Sequence, residues 1–306
     1  MRAFHPFLLL FTLACADKSA AVDDSSPADD SGTDDSGGGG DSGASGDTYS
    51  LDNCTTSVGE GVPAFFSTFF RCVTLTHEDG VTHISSNGLP PHPSPYYDPS
   101  DPNWEAWDDR GGDWHQNPNQ IATQTVTMDV NDDPASRGLT IDSDLVDGMA
   151  GTSRSEYGGS TLGIGLDGVS LFHGVAAPGD DISQERYSFD TWEGHPQDTG
   201  TYHHHSANPA ALNVLKHLGF ATTNTPGSAE IELFGVMCDG TVVMGCTELD
   251  GSTPDSGDMD AQNGHTHDLV GEDGTVYLSS RYHTHLCTGV YDDEYTPEIQ
   301  YYEGCQ

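Results

Sequence analysis

An ordered set of three short motifs occurs twice along this chain. An Asp-Gly pair is followed by a Gly-His pair and then by a Tyr-His-x-His segment. The two copies comprise residues 167–168, 194–195 and 202–205, and then 239–240, 264–265 and 282–285. Chance would rarely supply all three motifs twice in the same order. The sequence therefore predicts a domain of two similar halves, which limits the folds available to it.

The apolar runs around these motifs are short and end at Gly, Asp, Asn or Pro. Residues 160–174 and 230–245 each read as two strand-like segments around an Asp-Gly turn, a strong short-range signal for a β-hairpin. One good helical pattern covers residues 208–220, where Asn208 is a typical N-cap and Pro209 suits the first turn. We therefore expect a mainly β fold of two hairpin-plus-YHxH halves, with one short helix near 209–218.

The repeated Tyr-His-x-His segment places two histidines in alternate positions. In a strand, residues i and i+2 point to the same face, so these two imidazoles can chelate one metal ion. The histidine of the Gly-His pair supplies a third ligand, whereas His204 should point away. Imidazoles among carboxylates suit zinc or copper(II) better than copper(I). The predicted metal ligands are His203, His205, His283, His285, His195 and His265.

Related halves normally bring equivalent positions together about a pseudo-twofold axis. We therefore expect the two Tyr-His-x-His segments to run side by side, with their four alternate histidines on one common surface. The alternative is a network of His, Tyr and Asp hydrogen bonds that specifies the fold without a metal. Calcium is a less favoured ligand, because the acidic run 258–268 lacks the spacing of an EF-hand loop.

These motifs, together with 83-HISSNGLPPH-92, 117-NPNQI-121 and 188-SFDTWEGHPQDTGTYHHH-205, resemble the YHYH domain family of exported proteins. The resemblance extends from about residue 82 to 305. The chain departs from the tetrapeptide at His204 and Thr284, so a second tyrosine is not required here. The resemblance implies an architecture but no particular reaction. A non-enzymatic surface or structural module and a metal-dependent hydrolase or oxidase therefore both remain open.

The N-terminus has the pattern of an export signal. Residues 1–14 carry one Arg and an apolar run too short to span a bilayer, and the TLAC that ends at Cys15 resembles a lipobox. Residues 15–50 continue as an acidic Asp/Ser/Gly segment that has too little apolar surface to fold. We predict a lipid anchor in the cell envelope, at the outer membrane or cell surface, and a folded domain over 51–306. Cleavage after Ala16 and secretion is the alternative.

Six cysteines follow this linker, an even number that favours disulfides in an exported protein. Cys238 and Cys246 should not pair, because a two-residue turn places them too far apart along the hairpin. The plausible local pairs are Cys54–Cys72 and Cys287–Cys305.

The charge of the chain restricts its partners. The sequence has 49 acidic and 9 basic residues and a net charge of −40 at pH 7. Such a surface repels nucleic acid and anionic lipid headgroups and attracts cations. A metal ion is therefore the expected partner, with membrane contact only through the N-terminal lipid.

Overall fold

The mainly β fold is confirmed in the computed structural model, which describes residues 49–149, 161–176, 182–287 and 295–305. Within these ranges lie twelve strands: β1 (Ser57–Val58), β2 (Thr74–Glu78), β3 (Val81–Ser86), β4 (Val126–Asn131), β5 (Gly163–Gly165), β6 (Ser170–Leu171), β7 (Gly194–Pro196), β8 (Tyr202–His204), β9 (Leu233–Met237), β10 (Val242–Met244), β11 (Gly264–Val270) and β12 (Val276–His285). The helices are α1 (Ala64–Phe69), α2 (Ser143–Met149), α3 (Ile182–Glu185) and α4 (Pro209–Leu218).

The N-terminal predictions fall on residues that the structure does not describe. The signal peptide, Cys15 and most of the acidic linker lie before residue 49. Across the described ranges, no helix combines the length and apolar character needed to cross a membrane. The lipid anchor therefore stays a prediction.

The strands form two sheets. A four-stranded sheet has the order β1-β2-β3-β4, and an eight-stranded sheet has the order β11-β12-β10-β9-β5-β6-β8-β7. The eight strands divide into two sets of four, β5 to β8 and β9 to β12, each a hairpin followed by an antiparallel pair. In both sets the last strand pairs in parallel with the second strand of the hairpin. The two halves meet where β5 and β9 pair antiparallel.

The expectation that the two Tyr-His-x-His segments run side by side is wrong. Strand β8 carries the first segment and β12 carries the second, and four strands separate them in the sheet. Five strand spacings of about 4.8 Å correspond to roughly 24 Å. The hairpin strands β5 and β9 occupy the centre of the sheet instead. The histidine pairs therefore lie towards opposite edges of the sheet and are too far apart to share one metal ion.

The predicted helix is present as α4 and packs on β9. The side chain of Asn208 accepts a hydrogen bond from the backbone N–H of Ala211, and Pro209 occupies the first turn. Gly219 ends the helix with a left-handed φ of 83°. The main apolar core includes buried leucines of α4 and buried phenylalanines of α1, and α1 contacts both α4 and β12.

Three disulfides join the six cysteines of the described residues. Cys54 is joined to Cys72, and Cys238 is not joined to Cys246, both as expected. The expected pairing of Cys287 with Cys305 is wrong. The parallel pairing of β10 with β12 places Cys246 beside Cys287, with 4.5 Å between their Cα atoms. The three bonds are Cys54–Cys72, Cys238–Cys305 and Cys246–Cys287.

Candidate metal centres

A tight loop and a buried tyrosine position the Gly-His pair of the first half. Asp190 accepts a hydrogen bond from the backbone N–H of Gly194, and Glu193 takes a left-handed φ of 57°. The hydroxyl of Tyr202 donates to the Asp190 carboxylate at 2.9 Å. A Cβ on Gly194 would lie 2.5 Å from the Tyr202 ring, so only glycine fits there. The tyrosine thereby holds the strand that presents His195.

The second half repeats this arrangement. Asp260 accepts a hydrogen bond from the backbone N–H of Gly264 at 2.9 Å, and Asn263 has a φ of 55°. The hydroxyl of Tyr282 donates to Asp260 at 2.6 Å, and its ring occupies the space a Cβ on Gly264 would need. The aspartate was not predicted from the sequence, although it stands four residues before the glycine in both copies. Because Asp260 accepts hydrogen bonds from Gly264 and Tyr282, it also argues against a calcium-binding loop in the acidic run 258–268.

Strand pairing brings the third histidine of each half to the other two. In the antiparallel β7–β8 pair, His195 lies opposite His203. In the antiparallel β11–β12 pair, His265 lies opposite His283. The six predicted histidines therefore form two groups, one in each half, and every one of their imidazoles is buried.

The first site consists of His195, His203 and His205, whose ligand nitrogens lie within 4.8 Å of one another. His203 places its Nδ1 3.0 Å from the carbonyl of Thr201, and His205 places its Nδ1 2.7 Å from the carbonyl of His173. A carbonyl can only accept, so both Nδ1 atoms carry the proton and both Nε2 atoms present a lone pair. These Nε2 atoms are 3.0 Å apart. Neutral rings in this tautomer cannot form a hydrogen bond there.

His195 can take the same tautomer through Ser188, although the side-chain amide of Asn117 also lies 3.4 Å from its Nδ1. The hydroxyl of Ser188 donates to the carbonyl of Glu185 at 2.8 Å, so it can accept a hydrogen bond from Nδ1 of His195 at 2.7 Å. The buried Nε2 of His195 has no hydrogen bond. An oxygen of Glu185 lies 3.5 Å from this Nε2, at the edge of the site. Three imidazole lone pairs thus face one space, and in the described part of the chain the carboxylate of Glu185 lies nearby.

Aromatic rings surround the first site. Phe172 stacks on His203 with ring centroids 3.7 Å apart, and Phe189 stacks on His205 at 5.6 Å. Burial, together with the neighbouring imidazoles, holds the pKa of His195 and of His203 well below the ordinary value. These rings therefore stay neutral at neutral pH and keep their lone pairs available.

The second site consists of His265, His283 and His285 together with Glu248. Nδ1 of His283 lies 3.0 Å from the carbonyl of Arg281, and Nδ1 of His285 lies 2.8 Å from that of Gly245. His265 has its Nδ1 2.9 Å from a carboxylate oxygen of Asp258. In this site too, each Nδ1 faces an acceptor and each Nε2 faces the shared space.

Glu248 was not predicted, and no short motif marks it. One of its oxygens lies 3.1 Å from Nε2 of His265 and 3.4 Å from Nε2 of His285, and the other lies 3.2 Å from Nε2 of His283. Burial opposes its ionisation, but the three imidazoles around it outweigh burial and hold its pKa far below the ordinary value. Glu248 is therefore a carboxylate that completes a four-ligand set.

The separations in the second site fit a metal ion. A tetrahedral zinc ion with bonds of about 2.0 to 2.1 Å holds its ligand atoms about 3.3 Å apart. Nε2 of His265 and Nε2 of His285 are 3.1 Å apart, and the glutamate contacts range from 3.1 to 3.4 Å. Solvent reaches the rim of the site, since the side chains of His267 and Asp258 are 39% and 61% exposed.

Comparison of the chain with protein-family models, with curated proteins and with solved structures finds no match. The chemistry of the two sites must therefore be read from their own geometry. His204 belongs to neither site, because β8 turns it to the opposite face, as the alternation of side chains predicts.

Proposed function

We propose that this protein binds one divalent transition-metal ion, zinc or copper(II), in each of its two halves. One observation carries the proposal. In each half three imidazoles converge through Nε2, while every Nδ1 faces a carbonyl, a hydroxyl or a carboxylate. Hydrogen bonding at the outer nitrogen is the arrangement that orients metal-ligating histidines and fixes their tautomer.

A cation accounts for this convergence better than a hydrogen-bonded network does. Lone pairs on His203 and His205 that face each other at 3.0 Å repel unless something positive lies between them. A proton is a poor candidate in the first site, because burial lowers the pKa of His203 well below its ordinary value. A metal ion satisfies all three lone pairs at once.

The donor set indicates the class of metal. Three imidazoles with one carboxylate suit zinc or copper(II), whereas copper(I) and iron–sulfur clusters use thiolates. All six cysteines of the described residues are in disulfides and cannot serve as ligands. Calcium requires six to eight oxygen ligands, which neither site provides.

The experiment is metal analysis of purified protein that has been stripped with a chelator, reloaded with zinc and dialysed. His205→Gln and His285→Gln should each lose one zinc per chain relative to the parent protein. His83→Gln is the control, because His83 pairs with Asp129 on the surface of β3. Cobalt(II) loaded in place of zinc should give the strong visible absorption of tetrahedral coordination. The proposal fails if neither histidine variant loses metal.

We also infer that the chain is an exported lipoprotein of the YHYH type. The motif order of the two halves supports the family, and the three disulfides support a location outside the cytoplasm. Mass spectrometry of the mature N-terminus tests the anchor. It should find a lipid on Cys15, and Cys15→Ser should release the protein from membranes. A mature chain that begins after Ala16 without lipid would contradict this inference.

A further inference from the structure

A third group of ligand-type side chains lies on the other face of β8. It consists of His92, Asp167 and His204, and none of them is more than 1% exposed. One nitrogen or oxygen from each lies within 4.8 Å of the others. None of these residues belongs to the two sites described above.

Both histidines of this group have the tautomer of a metal ligand. Nδ1 of His92 lies 2.9 Å from the carbonyl of Pro93, and Nδ1 of His204 lies 2.8 Å from the carbonyl of Glu193. Since carbonyls only accept, each Nδ1 carries the proton and each Nε2 bears a lone pair. Both Nε2 atoms are buried without a hydrogen-bond partner.

Asp167 adds a third acceptor to the same space. Its Oδ1 accepts a hydrogen bond from the backbone N–H of Val169 at 3.1 Å, while its buried Oδ2 has no hydrogen bond. Oδ2 lies 4.0 Å from Nε2 of His204, too far for a hydrogen bond. Three acceptors therefore face one another, and none of them has a donor. Buried acceptors left in this way are costly unless another group satisfies them.

The second half shows how an aspartate at this position is satisfied when no metal is required. Asp239 stands on the equivalent Asp-Gly turn, and its Oδ2 accepts hydrogen bonds from the backbone N–H groups of Tyr301 and Tyr302 and from the hydroxyl of Thr241. Thr284 stands where the first half has His204. In the first half, by contrast, two imidazole lone pairs face the carboxylate of Asp167. Oδ2 of Asp167 lacks the hydrogen-bond donors that Oδ2 of Asp239 has in the second half.

We propose that His92, Asp167 and His204 form a third site, which binds a divalent transition-metal ion such as zinc through two Nε2 atoms and one carboxylate oxygen. This donor set is one that zinc accepts. A bound ion would draw Oδ2 of Asp167 and Nε2 of His204 from 4.0 Å to about 3.3 Å apart, a shift of a few tenths of an ångström for each side chain. The proposal uses none of the ligands of the other two sites.

The competing occupant is one water molecule beside a protonated Asp167. Water has two hydrogens for three acceptors, so it satisfies the group only if the carboxyl group brings a proton of its own. Anomalous diffraction from zinc-loaded crystals separates the two. We expect a zinc peak about 2.0 to 2.1 Å from both Nε2 atoms. A peak without anomalous signal, about 2.8 Å from all three side chains, would overturn the proposal. The peaks of the other two sites are seen separately, so each proposal fails or stands alone.

A variant tests the same point in solution. Asp167→Asn keeps the acceptor for Val169 and places an amide N–H where Oδ2 was, so the fold can survive without a cation. This variant should lose one zinc per chain by elemental analysis. Thr284→Val, at the position equivalent to His204, is the matched control and should lose none. Zinc content equal to that of the parent in Asp167→Asn would rule out the third site.

Discussion

The two histidine sites share their backbone geometry but differ in charge. Each has three imidazoles fixed through Nδ1 and a tyrosine that supports the Gly-His strand. The first site lies between the rings of Phe172 and Phe189, and among the described residues it has the carboxylate of Glu185 near its edge. The second has Glu248 among its ligands and Asp258 bonded to His265. The two halves therefore place their histidines alike, while the electrostatic surroundings of the histidines differ.

This difference predicts a difference in affinity. Within the described residues the ligand group of the first site contains no carboxylate, so the charge of a divalent cation there would be less well balanced in an apolar setting, which is unfavourable. In the second site, Glu248 and Asp258 can balance that charge. We therefore expect the second site to bind the metal more tightly, and a chelator should strip the first site at a lower concentration.

The largest effect should come from the carboxylate ligand. Glu248→Gln keeps the shape of the side chain but removes the negative charge, and it should weaken binding at the second site by more than about 100-fold. Glu185→Gln, the matched change beside the first site, should weaken binding there about tenfold or less. Zinc titration against a competing chelator measures both. Equal losses of zinc affinity in the two variants would show that the carboxylates of the two sites contribute equally to binding.

Removing the supporting hydroxyl should destabilise the first half more than the second. Asp190 is buried, and burial raises its pKa to about 7, whereas Asp260 is only partly buried. Tyr202→Phe should therefore lower the free energy of unfolding by about 1–3 kcal/mol, and Tyr282→Phe by about 1 kcal/mol. Denaturant unfolding of the metal-stripped proteins measures the difference. A larger loss in Tyr282→Phe would contradict the role of burial.

The two sites should release metal at different pH. Burial alone would lower the pKa of His265, but Glu248 and Asp258 raise it above the ordinary value of about 6.5, so protons compete for this ligand from a higher pH. The pKa values of His195 and His203 are depressed, so protons compete there only at a lower pH. Apparent affinity should therefore begin to fall at a higher pH in the second site. The test is zinc titration of His205→Gln and His285→Gln over a range of pH, because each variant has one histidine site disrupted. If the affinity of the first site begins to fall at the higher pH, the prediction is wrong.

The smallest effect concerns the exposed carboxylate. Asp258→Asn keeps an acceptor for Nδ1 of His265 but removes the charge, and it should weaken binding at the second site only about two- to fivefold, because Asp258 is largely exposed. High salt should reduce the difference further. Ser188→Asn, which introduces no charge at the equivalent position of the first site, should show no such salt dependence. An effect of Asp258→Asn that persists in high salt would argue against a charge contribution.

The sequence was sufficient for whatever depends on neighbours along the chain. The alternation of strands determined that His203 shares a face with His205 while His204 points away. The Asp-Gly turns gave the hairpins, and Asn208 and Gly219 gave the ends of α4. These features rest on local backbone geometry, so a few residues are enough to specify them.

Tertiary structure alone decided how these local pieces combine. The order of strands in the sheet separated the two histidine groups, and the packing of connecting segments brought Glu248 to the second group and His92 to Asp167 and His204. It also paired Cys246 with Cys287. Each of these contacts depends on which distant segments hydrogen-bond to each other. Many pairings satisfy the same local pattern, and only the packing of the whole sheet and its core selects one.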